Sequence, residues 1–297
     1  MVFVRRPLGA GLIWAAMIIV FCVLSLVSAK LDFSLAGKTV VVTGGTKGIG
    51  KAVVEDAAEA GAEIVITCSR NSVDIEACKQ SWVERGLKIH ACVADCATKE
   101  GRAVLVQFCQ DLGLDEKGLS LLVNNIGTNV RKYAVEYSEE EVAKVFSTNL
   151  ESAFWLSTAF YPMLLKSSSM GKGASVVNVG SVAGGCGTSI RSGAPYAMTK
   201  AAMVQLTTNL AAEWGKDNIR INSVSPAYIE TPLSHQVLKN RPFLESVEEK
   251  TPLRRVGRPE EVSAAILFLG MDVASYITGS NLAVDGGFLS SGFYPTI

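Results

Sequence analysis

The chain has 297 residues, enough for one large α/β domain or two small ones. Hydrophobic residues make up 48% and charged residues 19%, which excludes disorder and low-complexity architecture. Lys+Arg and Asp+Glu number 28 each, so the net charge is zero and no basic surplus recommends a nucleic-acid partner.

The first predicted element stands apart from the rest. From Leu8 to Ala29 there are 22 residues without a charge, preceded by Arg5 and Arg6 and followed by Lys30. That length can cross a hydrocarbon core of roughly 30 Å. The stretch also reads as a secretory signal: a basic start, an apolar run, and the small residues Val27-Ser28-Ala29. A buried N-terminal core helix is a third reading. The strongest apolar run, Ile13–Leu24, spans only 12 residues, so length alone does not choose. Anchor and signal both imply the endoplasmic reticulum and secretory membrane system. As an anchor, the arginine pair favours a cytoplasmic N-terminus and a luminal domain, with a cytoplasm-facing domain as the alternative. The expected boundaries are 1–33 for this segment and 34–297 for a catalytic domain.

After it, strands and helices alternate. Lys38–Thr43 is a β-branched run suited to a strand buried on both faces. The pattern then predicts a helix over Ile49–Ala60, a strand over Glu63–Cys68 and a helix over Val73–Arg85. A strand at Leu87–Val93, a helix at Lys99–Leu112 and a strand at Leu119–Val123 follow. Helices at Ser138–Thr148 and Glu151–Leu165 lead through a surface loop, Ser167–Gly173, to a strand at Ala174–Val179. Pro195–Gly215 reads as helix and Arg220–Val224 as strand. Pro226 to Pro259 reads as irregular, before a helix at Glu260–Leu269 and a strand near Asn281–Val284. Strict alternation implies an α/β fold with a doubly wound parallel sheet of Rossmann type, in a single domain preceded by one apolar N-terminal helix.

Seven cysteines are scattered through the chain with no CxxC pair. Only His90 and His235 could add imidazoles, so no metal site is expected. Cys68 and Cys92 fall in apolar strand-like runs and read as small buried hydrophobes.

Thr43-Gly44-Gly45-Thr46-Lys47-Gly48-Ile49-Gly50 joins the first strand to the first helix. Glycines there let the backbone approach a pyrophosphate whose charge faces the helix N-terminus. Gly44, Thr46, Lys47, Gly48, Ile49 and Gly50 are therefore candidate cofactor contacts. At the end of the second strand, where an NAD site places a carboxylate, the chain reads Ser69-Arg70-Asn71. Arg70 can grip a 2′-phosphate, and Lys47 can add a second charge. NADP(H) is thus expected over NAD(H). Asp95 after the third strand could accept from an adenine amine or serve a turn. Asn125 and Gly127, in the Asn124-Asn125-Ile126-Gly127 run, follow the fourth strand.

Tyr196 and Lys200 are four apart in a helical run, which puts them on one face about 6 Å apart along the axis. An ammonium so placed favours the phenolate and lowers the phenol pKa. Ser181, at the end of the fifth strand, could bind a substrate oxygen.

With the glycine loop, the strand-end serine, Asn149 and the late Val284-Asp285-Gly286-Gly287, the chain from about Leu35 to Phe293 resembles a short-chain dehydrogenase/reductase. Asn129-Val130-Arg131-Lys132, Leu210-Ala211-Ala212-Glu213-Trp214 and Lys250-Thr251-Pro252-Leu253-Arg254-Arg255 are similar to the tropinone reductase-like group. The resemblance implies a catalytic tetrad of Asn149, Ser181, Tyr196 and Lys200. In it Tyr196 donates the proton, Ser181 holds the oxygen, Lys200 binds the ribose and lowers the Tyr196 pKa, and Asn149 holds a water. It also implies cofactor contacts from Pro226, Ile229 and Thr231. The implied activity is NADPH-dependent, reversible reduction of a ketone on a small-molecule substrate. Alternatives are a 3-oxoacyl-thioester reductase, a steroid-type dehydrogenase, or a non-catalytic membrane-tethered NADP-binding module. Apolar Leu233, Val237, Leu238 and Phe243 could cover a lipophilic substrate. The stretch Gly184–Gly193 lengthens the Ser181-to-Tyr196 spacing beside the expected pocket. The helices Glu151–Leu165 and Pro195–Gly215 resemble the faces that pair in family homodimers and homotetramers.

Overall fold

β1 (Thr39–Thr43) reads TVVVT, and all five residues are buried. Branching at Cβ suits these side chains to a pleated strand. In the computed structural model, which describes residues 32–185, 190 and 192–291, Val40 and Val42 enter one apolar cluster and Val41 enters another. A strand dry on both faces belongs in the middle of a covered sheet. The other strands are β2 (Ile64–Ser69), β3 (Ile89–Val93), β4 (Leu121–Asn124), β5 (Ala174–Val179), β6 (Ile219–Pro226) and β7 (Asn281–Val284). All pair in parallel, in the order β3-β2-β1-β4-β5-β6-β7. Val41 stands between Ile66 on one side and Leu122 on the other. The doubly wound parallel sheet expected from the alternation is the observed fold.

The helices are α1 (Gly48–Glu59), α2 (Ser72–Glu84), α3 (Lys99–Asp111), α4 (Leu114–Lys117), α5 (Glu139–Phe146), α6 (Ser152–Ser169), α7 (Ala194–Trp214), α8 (Pro232–Leu238), α9 (Arg241–Lys250) and α10 (Pro259–Gly270). Val53 of α1, Trp82 of α2 and Ile266 of α10 pack on the Val40 side of the sheet. Leu105 of α3, Phe160 of α6 and Trp214 of α7 pack on the Val41 side. Burying such a side chain contributes roughly 1.5–3 kcal/mol, so the two clusters hold the helices in place. Side-chain caps fix the starts. Asn71 Oδ1 accepts from Val73 N at 3.0 Å to begin α2, and Thr98 Oγ1 accepts from Gly101 N at 3.0 Å to begin α3.

Three expectations are corrected. The span from Pro226 to Pro259, expected to be irregular, holds α8 and α9. Each buries one residue, Ser234 in α8 and Val247 in α9, and prolines and charged residues interrupt their apolar positions, so they do not read as core helices. The Ser167–Gly173 loop is in part helix, since α6 continues through Ser169. Ser169 Oγ is satisfied locally, donating to Lys166 O at 2.8 Å, while Ser168 Oγ donates at long range to Asp217 O at 2.7 Å. The gap expected between Thr148 and Glu151 is a π-helical turn, Ser147–Glu151, that fuses α5 to α6. The uncharged 8–29 segment lies outside the described residues.

Of the described cysteines, Cys68, Cys78, Cys96 and Cys109 are buried and Cys92 is half-buried. Burial pushes the Cys92 thiol up to about 12. Cys68 is pushed well up by its hydrogen bond with Cys96, 3.6 Å away, and by burial. These are packing thiols rather than nucleophiles.

Candidate active site

Between β1 and β4 the strand order reverses, and in open parallel sheets the crevice beyond the carboxyl ends at that point is where ligands bind. A cleft of about 560 Å³ opens there. One end is built from the β1–α1 turn and the ends of β2 and β3. The other is built from the ends of β4, β5 and β6 and from α7, α8 and α9.

At the first end, Gly48 has φ +54°, a backbone that only glycine adopts readily. A Cβ on Gly50 would stand 2.3 Å from Gly44 O and from Asn125 Nδ2, so glycine lets α1 close on the sheet. Lys47 precedes α1 without a side-chain cap bond. The first N–H groups of α1 are therefore available to an anion, as a pyrophosphate requires. Arg70 is exposed, lines the cleft, and has no ion-pair partner among the described residues. Lys47 is instead paired with Asp74 at 2.7 Å, so its charge is already shared. Asp95 lines the cleft while its Oδ1 accepts from Ala97 N at 3.1 Å, serving the turn as well. These residues fit a dinucleotide bearing a 2′-phosphate.

Gly44, Lys47, Gly48, Ile49, Ser69, Arg70, Asp95, Asn125, Gly127, Tyr196, Lys200, Pro226, Ile229 and Thr231 all line this one cleft. Thr46, Gly50 and Asn71 do not. Thr46 is buried, with its carbonyl accepting from the Cys78 thiol, and Asn71 is occupied as the cap of α2. Asn125 spends its amide on Thr43 O at 2.9 Å and Gly44 O at 3.2 Å, which ties β4 to the glycine turn.

At the second end Ser181, Tyr196 and Lys200 line the cleft, while Asn149 is buried and does not line it. Tyr196 and Lys200 lie one turn apart on α7, with Lys200 Nζ 5.8 Å from the Tyr196 ring centroid. Lys200 is 3% exposed, and its Nζ donates to Val179 O at 2.6 Å. Ser181, just past β5, hydrogen-bonds the Tyr196 phenol, and its Oγ accepts from Ala183 N at 3.1 Å. Asn149, fully buried in the π turn, accepts from Thr128 N at 2.7 Å. It donates to Thr128 O at 3.0 Å and to Thr199 Oγ1 at 3.2 Å. Both of its amide hydrogens are thus committed, and Asn149 ties the π turn to the loop after β4 and to α7. The water expected on Asn149 has no side-chain donor left to it.

The expected lowering of the Tyr196 pKa is corrected. Burial pushes the phenol above its usual value, and the Ser181 hydrogen bond and the Arg131 charge only partly offset it. Burial also brings the Lys200 amine down to about 8. Both groups lie where their charged forms are costly, so Tyr196 keeps its proton and Lys200 titrates near neutrality.

Several lining residues carried no expected role. Tyr228 follows β6 and meets Phe243 edge-on at 5.6 Å between ring centroids. Thr128, Asn129 and Arg131 come from the loop after β4. Asn129 Nδ2 donates to Ser192 O at 2.9 Å, while Asn129 Oδ1 and Arg131 Nη1 are buried without a hydrogen-bond partner among the described residues. Their place could be read from chain position, because the loop leaves the carboxyl end of a central strand. Of the Gly184–Gly193 stretch, residues 186–189 and 191 lie outside the described residues, while Ile190 and Ser192 line the cleft.

Comparison with known proteins agrees with this fold. Residues 44–289 match the family described as enoyl-(acyl carrier protein) reductase. The chain is 51% identical over 261 residues to a tropinone reductase homolog of Arabidopsis thaliana, covering 88% of this chain and 96% of that one. It is similar to the crystal structure of a putative NAD(P)-dependent gluconate 5-dehydrogenase from Beutenbergia cavernae with bound NADP. That similarity has a TM-score of 0.80 at 32% identity, over 88% of this chain and 100% of that chain. It is also similar to a gluconate 5-dehydrogenase from Burkholderia cenocepacia in complex with NADP and tartrate. Here the TM-score is 0.80 at 25% identity, over 88% of this chain and 98% of that chain.

Proposed function

Because this chain belongs to the short-chain dehydrogenase/reductase family, we propose that it is an NADPH-dependent oxidoreductase that reversibly reduces a ketone to a secondary alcohol. The observation that carries the reading is the meeting of the Ser181 and Tyr196 hydroxyls at the end of β5, with Lys200 one turn away, in the cleft that the glycine turn also lines. Arg70 at the end of β2, with no carboxylate beside it in Ser69-Arg70-Asn71, favours the phosphorylated dinucleotide. The NADP bound in the two gluconate dehydrogenase structures supports the same choice.

A bound reduced nicotinamide would supply the hydride. The chain does the rest. Ser181 positions the carbonyl oxygen, and Tyr196 delivers its proton to that oxygen as negative charge develops there. A phenol held above its usual pKa keeps that proton at neutral pH until the acceptor becomes basic. Lys200 has one N–H on Val179 O, which leaves the remaining donors for a cofactor ribose.

NADPH oxidation against a panel of ketones tests this, with Tyr196→Phe as the comparison. The expected result is a kcat about 10²–10⁴-fold lower in the variant, the usual range for a lost general acid. Undiminished turnover would remove Tyr196 from the mechanism.

A further inference from the structure

The charged lining of the cleft leaves one group over. Among the described residues, its charged side chains are Lys47, Arg70, Asp95, Arg131 and Lys200. Under the reductase reading, Arg70, Lys47 and Lys200 meet the cofactor, and Asp95 lies at the adenine end. Arg131 has no such task. It sits at the other end, close enough to Tyr196 and Tyr228 for its charge to favour ionisation of both phenols. Among the described residues its buried Nη1 has no hydrogen-bond partner and no carboxylate pairs with it. An arginine nitrogen shut away from water and left unbonded is costly, so such groups are normally satisfied.

The backbone around Arg131 is braced on both sides. Thr128 is held by Asn149, and Asn129 by Ser192 O. Tyr137 Oη donates to Val130 O at 2.5 Å and accepts from Lys132 N at 3.3 Å. Lys132 Nζ is paired with Glu141. The loop therefore presents one guanidinium to the cleft from a fixed backbone and engages its neighbours elsewhere, which keeps the ordering cost of binding low. Beyond it the wall turns apolar, through Tyr228, Leu233, Val237 and Phe243.

We infer that Arg131 is the anchor for a carboxylate on the substrate, so that the ketone reduced at Tyr196 is an oxo acid with an apolar body. A guanidinium fork matches a carboxylate through paired charge-assisted hydrogen bonds, and a neutral ketone would leave it unmatched. The inference rests on the reductase reading for which atom reacts, but the anion site stands on Arg131 itself.

The probes are 2-oxo-octanoate, 4-oxo-octanoate and their methyl esters. Calorimetry on the full chain carrying Tyr196→Phe and loaded with NADP⁺ measures binding without turnover. At least one acid binds about 10–100-fold more tightly than its ester, the scale of a charged hydrogen bond. Adding Arg131→Met brings that ratio close to one, while Arg131→Lys, with charge but no fork, restores part of it. NADP⁺ affinity, measured in the same titrations, reports whether each variant is folded. Equal binding of acid and ester, or a preference that survives Arg131→Met, overturns the assignment. NADPH oxidation with Tyr196 intact separates the two readings. Acid binding through Arg131 with no ketone reduced defeats the reductase reading alone, and reduction of ketones without acid preference defeats the carboxylate site alone.

Discussion

Lys200 shows how a single residue gives up stability for chemistry. Its folded amine titrates at about 8 against an ordinary 10.5, because burial penalises the charge. Between those values the unfolded chain binds more protons than the folded one, so rising pH favours folding through that window. Below about 8 both states are protonated and the whole penalty stands. At 1.36 kcal/mol per pKa unit, wild type should gain about 2–3 kcal/mol relative to Lys200→Met between pH 7 and 10. Urea melts of the cofactor-free proteins at both pH values measure it, and a difference that stays flat contradicts the burial. Tyr196, Lys200 and Ser181 are legible in the sequence because one helical turn and one strand end fix their relations locally. Arg131 is not, since its meaning depends on a missing partner, and only the folded chain shows which groups come near it.

The same distinction holds for elements. β1 and β2 announce themselves, being short apolar runs dry on both faces. α8 and α9 bury one residue each, so the apolar runs that α1 and α10 sink into the core have no counterpart in them. The π turn is invisible for another reason. It is a local change of hydrogen-bond register, stabilised by what Asn149 reaches elsewhere in the fold. α6 and α7 raise a question of assembly. Phe154 and Trp155 on α6 are 37% and 50% exposed, and Met198 on α7 is 56% exposed. Pairing of chains through these faces is the proposal that their apolar surface supports. Light scattering should report a dimer or tetramer for wild type and a smaller species for the Phe154→Ser, Trp155→Ser double variant. A monomeric wild type, or an unchanged mass in the variant, rejects it.

At the scale of the whole molecule, alternation alone is enough to read a doubly wound sheet, because parallel strands need helical crossovers and a covered face on each side. Strand order is another matter, as it depends on which crossovers go left and which go right of β1. The proposed membrane tether, 8–29, belongs to this scale too. Alkaline carbonate washing of membranes from cells expressing the full chain should leave it in the pellet if the segment is a retained anchor. Release into the wash, together with a mature N-terminus beginning near Lys30, would favour a cleaved signal.

The reversal of strand order between β1 and β4 also separates the residues that choose the coenzyme from those that meet the substrate, although Asn125, Gly127, Lys200 and Thr231 beyond it line the cofactor cleft as well. Every cleft residue assigned to the glycine turn, the 2′-phosphate and the adenine precedes Leu121, and every one assigned to the reacting oxygen or to Arg131's proposed anion follows it. The seam between the halves is the β1–β4 ladder together with the Asn125 bonds to Thr43 and Gly44. A recombination event in the codons just before β4 would therefore exchange one substrate repertoire for another and leave the coenzyme preference where it was.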